Sequence, residues 1–332
     1  MRNLYYLFAL VLLISVGCTG NQDKSVSEND ALPPSYEYAV VIHGGAGYAT
    51  PEKLGKEGEH AYAAAMDSAL QIGLAVLKDG GRSLDAVEMV LRYLEDNPMF
   101  NAGRGAALTS EGMAELDASI MNVADLNAGA ITGLTEVRHP ISAARRVMDS
   151  SVHVMFSGTG ATEFAKSQGL EIVPNDFFVT QESMDALKRA LRENKFGTVG
   201  CVALDREGNL AAGTSTGGIT NKKHGRVGDV PVIGAGTYAK NDVAGISCTG
   251  QGEFYIRLAV AKEVISLMQY KGLTVEEAAK EVIFTQLKPY DAKGGIICLD
   301  KNGNVAMEFN TSAMFRAYGN SAGTHYVAIF PE

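Results

Sequence analysis

The chain of 332 residues is 46% hydrophobic and 20% charged, enough to bury a full core as one large or two ordinary domains and too apolar to be disordered overall. A net charge of −9 and a pI near 5.3 exclude the clustered cationic footprint of a nucleic-acid binder and an anionic-membrane patch. Small molecules or peptides are the expected partners.

The chain opens with one Arg before an apolar run from Leu4 to Ile14. That run is about half of what a bilayer-spanning helix requires, so it reads as a secretory signal rather than an anchor helix. Residues 1–18 end in SVGC, similar to a bacterial lipoprotein signal in which Cys18 becomes the lipid-bearing N-terminus. Ser15 stands where leucine is usual, so plain secretion is an alternative, as is Cys18 being one more apolar residue of the run. Residues 19–36 are polar with a Pro pair, as a flexible tether is. On this reading the protein is exported as a membrane lipoprotein facing the periplasm or cell exterior, touching the membrane only through its lipid.

A strand over 38–47 (YAVVIHGGAG) runs into glycines, and amphipathic helices follow over 59–80 and 83–96. Ser83 is expected to cap the second, and Asn97-Pro98 lies beyond its end. Residues 101–122 read as turns and strands; short helices over 140–149 and 160–168 lead to a polar connector over 174–197 with a helical centre. From 198 to 216 two strand-like runs flank a turn at Arg206-Glu207-Gly208-Asn209. Apolar runs follow at 232–236 and 243–249, then helices over 252–272 and 274–288, then a strand pair over 294–310 turning at Asn302-Gly303. Helices cluster between groups of strands, which favours stacked antiparallel sheets flanked by helices over a doubly wound parallel sheet. Cys201, Cys248 and Cys298 sit in apolar runs and read as small buried hydrophobes.

Four short pieces carry chemistry, and each has a bland reading. GTVG at 197–200 is a glycine before a strand; TSTGGITN at 214–221 is a polar turn; HGRVGD at 224–229 is an exposed ion pair; SCTGQGE at 247–253 is a strand end. Their ordered succession is what stands out. Together with HGGAG and NPMFNAGRGA, they resemble the plant-type asparaginases, or isoaspartyl peptidases, which are N-terminal-nucleophile hydrolases. The likeness covers roughly residues 38–330, with Val230 where serine is common. It implies an α+β fold, a four-layer αββα sandwich of two stacked, mainly antiparallel sheets flanked by helices.

The same likeness implies self-cleavage between Gly197 and Thr198, into an α piece (37–197) and a β piece (198–332). A hydroxyl needs an adjacent base, and a freed α-amine with a pKa of about 7.7 to 8.0 supplies one on the nucleophile itself. By the family pattern Thr216 orients the Thr198 hydroxyl, and Thr249 with the Gly250 N–H forms the oxyanion hole. Arg226 and Asp229 clamp the α-carboxylate and α-ammonium of the substrate, with Gly217 and Gly218 leaving room for its head. Asn101 is expected near the site. Leu94, Glu95, Asn97, Phe100, Ala102 and Arg104 match a structural sodium loop of backbone carbonyls; no cofactor is expected for catalysis. His43 reads as a satisfied core or turn histidine, and His139, His153 and His224 lack metal-ligand spacing.

The expected activity is hydrolysis of β-aspartyl peptides and L-asparagine with release of L-aspartate, by an (αβ)₂ assembly. The alternatives are a glycosylasparaginase, using the same nucleophile and clamp, and a non-catalytic amino-acid-binding lipoprotein.

Overall fold

The computed structural model describes residues 35–123, 125–190 and 197–331, so the signal, tether and Cys18 expectations lie outside the described residues. The first strand, β1 (Ala39–Gly47), is buried along nearly its whole length because both of its faces are covered. Val40 and Ile42 point into a core shared with helices, and Ala39 and Val41 point into a core shared with a second sheet. That period of two explains why its run is continuously apolar rather than alternating.

Helices α1 (Pro51–Lys78) and α2 (Ser83–Asp96) follow. Thr50 caps α1 by accepting from the Lys53 N–H, with Pro51 at its first turn. Ser83 does not cap α2 as expected: Arg82 occupies the cap position, and the Ser83 N–H donates to Asp205 Oδ2 instead. A carboxylate from a distant turn thus serves the helix N-terminus, which no local reading reveals.

Next come β2 (Leu116–Asn122), β3 (Ala128–Leu134), α3 (Pro140–Ser150), β4 (Met155–Ser157), α4 (Gly158–Ser167) and α5 (Gln181–Ala190). The hairpin expected from 198 is present as β5 (Val199–Leu204) and β6 (Leu210–Thr216). The apolar run at 232–236 is a turn, not a strand, and β7 (Thr237–Lys240) lies just after it, paired with β8 (Ala244–Gly250). The helix expected over 252–272 breaks at Ala259, whose φ of 48° is left-handed, into α6 (Gly252–Leu258) and α7 (Val260–Lys271). The chain then forms α8 (Val275–Lys280), β9 (Gly294–Asp300), β10 (Val305–Phe309), β11 (Ala313–Asn320) and β12 (His325–Ala328).

Eight strands form one sheet in the order β12-β11-β1-β5-β6-β2-β3-β4, antiparallel except for β3 with β4. The other four form β10-β9-β8-β7. One core binds the first sheet to α1, α2 and α3, a second binds the smaller sheet to α7 and α8, and a third lies between the sheets. The layer order is therefore helix, sheet, sheet, helix, the αββα sandwich expected from the sequence.

Candidate active site

Thr198 lies just before β5, and the period of two sets Thr198, Thr214 and Thr216 on the face that looks toward the second sheet. Thr198 is buried, with its Oγ 3.2 Å from Thr216 Oγ and 2.8 Å from the Gly197 carbonyl oxygen. That carbonyl also lies within donor reach of Asn101 Nδ2 at 2.7 Å and Thr216 Oγ at 3.0 Å. The peptide bond before Thr198 is thus polarised by groups from two distant segments.

Asn101 does more than stand nearby. Its amide nitrogen also donates to the Gly218 carbonyl at 2.7 Å, and its Oδ1 accepts from the Ala107 N–H at 2.6 Å. The side chain is held at three points, so its aim at Gly197 is set in advance.

The HGGAG stretch forms a bulge in β1, where the register shifts between His43 and Gly45. Gly45 has φ +109°, and a Cβ on it would lie 3.2 Å from Thr198 N and 3.3 Å from Gly197 Cα. Only glycine lets the bulge approach the bond before Thr198 so closely. From the next residue, the Ala46 N–H donates to Thr249 Oγ at 3.1 Å. In accepting that bond the Thr249 hydroxyl keeps its own hydrogen available to donate. Gly250 follows it at the end of β8, opposite Gly294.

Arg226 and Asp229 lie on the same side as Gly218. The Gly218 N–H donates to Thr216 Oγ at 3.0 Å, and Arg226 Nη1 stands beside Gly218. Thr198, Thr216, Gly218 and Arg226 are thereby linked in succession, and Gly217 is tied to the Asn101 carbonyl through its N–H at 3.2 Å. Two features of Arg226 and Asp229 escaped sequence reasoning. The Arg226 fork is engaged by Glu253, at 2.9 and 3.0 Å, a partner 27 positions away across a loop and β8. Asp229 is buried with no partner for Oδ2 among the described residues. Burial raises its carboxyl pKa to about 7, against a smaller lowering effect of Arg226.

His43 is fully buried, as a core histidine is, but it touches Thr198: Nδ1 lies 3.0 Å from the Thr198 carbonyl oxygen. Burial lowers its pKa to about 3, so the ring is neutral. Cys201, Cys248 and Cys298 are all buried in apolar cores. A cavity of about 430 Å³, lined by Gly45, Tyr62, Asn101, Gly197, Thr220 and Phe315 among others, opens on the Gly197 side of the bond. Arg226 and Asp229 do not line it; Arg226 stands beside Gly218, and both stand beside Gly252.

Leu94 and Glu95 lie in the last turn of α2, where their carbonyls carry the negative end of the helix dipole and no basic residue is present. The carbonyls of Leu94, Glu95 and Asn97 accept from the N–H groups of Asn97, Arg104 and Phe100. Each retains a second lone pair.

The Asparaginase_2 family (Asparaginase) matches residues 36–329. The isoaspartyl peptidase of Escherichia coli (strain K12) is 42% identical over 308 residues, covering 88% of this chain and 96% of that protein. The isoaspartyl peptidase/L-asparaginase of Homo sapiens is 38% identical, covering 86% and 94%, and that of Xenopus laevis is 40% identical, covering 83% and 90%. These findings correct the expectation of an exported, lipid-anchored protein. The chain aligns with isoaspartyl peptidases of bacteria and animals alike, and the expectation rested wholly on residues 1–36. Among the described residues, no helix is long and apolar enough to cross a membrane. From residue 36 onward, by profile and by relatives, the chain belongs to the Asparaginase_2 family of N-terminal-nucleophile hydrolases.

Proposed function

We propose that the chain cuts itself between Gly197 and Thr198 and then hydrolyses β-aspartyl peptides and L-asparagine, releasing L-aspartate. The observation that carries this reading is the Gly197 carbonyl, met by Asn101 Nδ2 and Thr216 Oγ with Thr198 Oγ beside it. In self-cleavage the Thr198 oxygen bonds to the Gly197 carbonyl carbon, the C–N bond breaks, and the Oγ proton passes to the departing nitrogen. Water then hydrolyses the resulting ester, leaving a Gly197 carboxylate and a Thr198 bearing a free hydroxyl and a free amine.

In turnover that amine takes the Oγ proton as Oγ attacks the β-carbonyl of the substrate. The developing oxyanion is met by the Thr249 hydroxyl and the Gly250 N–H. The proton goes to the leaving amine or ammonia, and water releases L-aspartate from the ester. Arg226 takes the α-carboxylate, with Glu253 orienting its fork, and Asp229, ionised, takes the α-ammonium. The relatives named as isoaspartyl peptidases favour this substrate class over a glycosyl-asparagine.

The α piece (37–197) and β piece (198–332) are proposed as one enzyme unit, and two units as the assembly. A sodium ion is proposed on the carbonyls of Leu94, Glu95, Asn97, Phe100, Ala102 and Arg104. The helix-end carbonyls fit a hard cation, which there stiffens the loop leading to Asn101.

The test is turnover of an isoaspartyl dipeptide beside a glycosyl-asparagine. Preference for the dipeptide is expected; a strong preference for the glycan overturns the substrate assignment.

A further inference from the structure

Among the described residues, a row of buried hydroxyls crosses the largely apolar space between the two sheets. His43, Gly200, Thr214 and Ser119 are register partners across β1, β5, β6 and β2. Facing them, Thr237 and Ser247 are partners across β7 and β8. His43, Ser119, Thr214, Thr237 and Ser247 are all fully buried. Their contacts are continuous: His43 Nε2 to Ser247 Oγ at 3.0 Å, Ser247 to Thr214 at 2.7 Å, Thr214 to Thr237 at 2.5 Å, and Thr237 to Ser119 at 2.8 Å. Gly200 is glycine because a Cβ there would fall 2.0 Å from Ser247 Oγ and 2.2 Å from His43 Nε2.

Followed from His43, the chain runs in one direction. The Thr198 carbonyl can only accept, so His43 carries its hydrogen on Nδ1, and the neutral ring presents a bare Nε2. Ser247 must then donate to Nε2, which spends its hydrogen, so Thr214 donates to Ser247. By the same step Thr237 donates to Thr214. The Gly236 carbonyl, which also accepts from the Cys248 N–H at 2.9 Å, lies 3.3 Å from Thr214 Oγ, so Ser247 at 2.7 Å is the closer acceptor for the Thr214 hydrogen. Ser119 ends the row, with its single hydrogen within reach of Thr237 and of the Val230 carbonyl at 2.5 Å.

The row touches three segments that the proposed chemistry needs. Thr198 is the nucleophile, Ser247 lies two residues before Thr249, and Val230 adjoins Asp229. Apolar contacts between sheets have little directional preference, whereas a satisfied polar chain fixes one register.

We propose that His43, Ser247, Thr214 and Thr237 form a one-way hydrogen-bond chain that positions Thr198 against the oxyanion strand and the substrate clamp. These are positioning residues, since none of them meets the substrate, and their kinetic effect rests on the hydrolase reading above. Their hydrogen-bond direction does not.

Two measurements test it. In the full chain labelled with ¹⁵N-histidine, the His43 signal, assigned by its loss in a His43→Gln variant, is expected to show a protonated Nδ1 and a bare Nε2. A protonated Nε2 overturns the chain whatever the enzyme does. In kinetics, Thr214→Val keeps the shape and removes the hydroxyl, while Thr214→Ser keeps the hydroxyl. With an isoaspartyl dipeptide, Thr214→Val is expected to lower kcat about tenfold or more, with KM within about twofold, because misplaced reacting groups lose rate rather than binding. Thr214→Ser should retain most of kcat, and Thr214→Val combined with Ser247→Ala should be no slower than the slower single variant. An unchanged kcat in Thr214→Val, or additive losses in the double variant, overturns the proposal. If Thr214→Val matures poorly, its self-cleavage rate against Thr214→Ser reads the same effect, and equal rates count against it. Should the unmodified protein leave the dipeptide intact, the hydrolase reading fails while the histidine signal still decides the chain.

Discussion

Thr198 follows a carbonyl held by three donors, and Asn101 makes the shortest of those contacts. Removing its amide leaves the Gly197 carbonyl with hydroxyl donors alone. Asn101→Ala is expected to slow self-cleavage about 10²-fold or more, the scale set by one lost oxyanion donor, and a time course on denaturing gels reads it. Asp229 gives a pH signature. Its carboxyl pKa is raised to about 7 by burial, and only the ionised form attracts the substrate ammonium. KM for L-asparagine is therefore expected to fall about tenfold between pH 6 and pH 8, and Asp229→Asn should raise KM and remove that slope. The stability effect has the opposite sense. A raised folded-state pKa gives stability that is complete below about 3.9 and lost as pH rises to about 7, so Asp229→Asn should flatten thermal stability over that range. Thr198, Thr216 and Asp229 draw notice through the order of their motifs, and the roles proposed for them rest on that likeness. The grip of Glu253 on Arg226 is not, since it joins residues on either side of β8, and the hidden cap from Asp205 to Ser83 escapes for the same reason.

Among the elements, β1 does the most to build the site. Its bulge brings Gly45 against the bond before Thr198 and sends the Ala46 N–H to Thr249. Gly45→Ala adds a methyl group against backbone atoms at a φ of +109°, which an L-residue resists. The variant is expected to fold and to cut itself more slowly than the parent, with both rates measured on the same gel; equal rates would show that the bulge tolerates a side chain. The sequence signals the glycines but not the bulge, because the bulge is a register shift against β11, a strand far away in the chain. The displacement of the expected 232–236 strand to β7 has a similar origin. The carbonyls of Asp229, Val232, Gly234 and Gly236 are spent on turn and cross-segment bonds, which closes the apolar run into a turn.

At the scale of the molecule, the proposed pieces are interleaved. In the large sheet β11 and β12 belong to the β piece, β1 to the α piece, β5 and β6 to the β piece, and β2, β3 and β4 to the α piece. Every junction between them is a full ladder of hydrogen bonds, so cutting one peptide bond cannot release either piece. The two are expected to travel together in native size-exclusion chromatography and to part only in denaturant; two separate native species would contradict the interleaving. The αββα layering is legible from the clustering of helices and strands, but the strand order is not, because it depends on pairings between residues far apart in the chain.

The most direct test of the whole account is a denaturing gel of the active protein with N-terminal sequencing of its bands. Two bands are predicted, one of them beginning TVGCVALD at Thr198, with Thr198→Ala giving one band and no turnover. Active material that runs as a single uninterrupted chain would contradict it, because the Thr198 hydroxyl would then have no amine to take its proton.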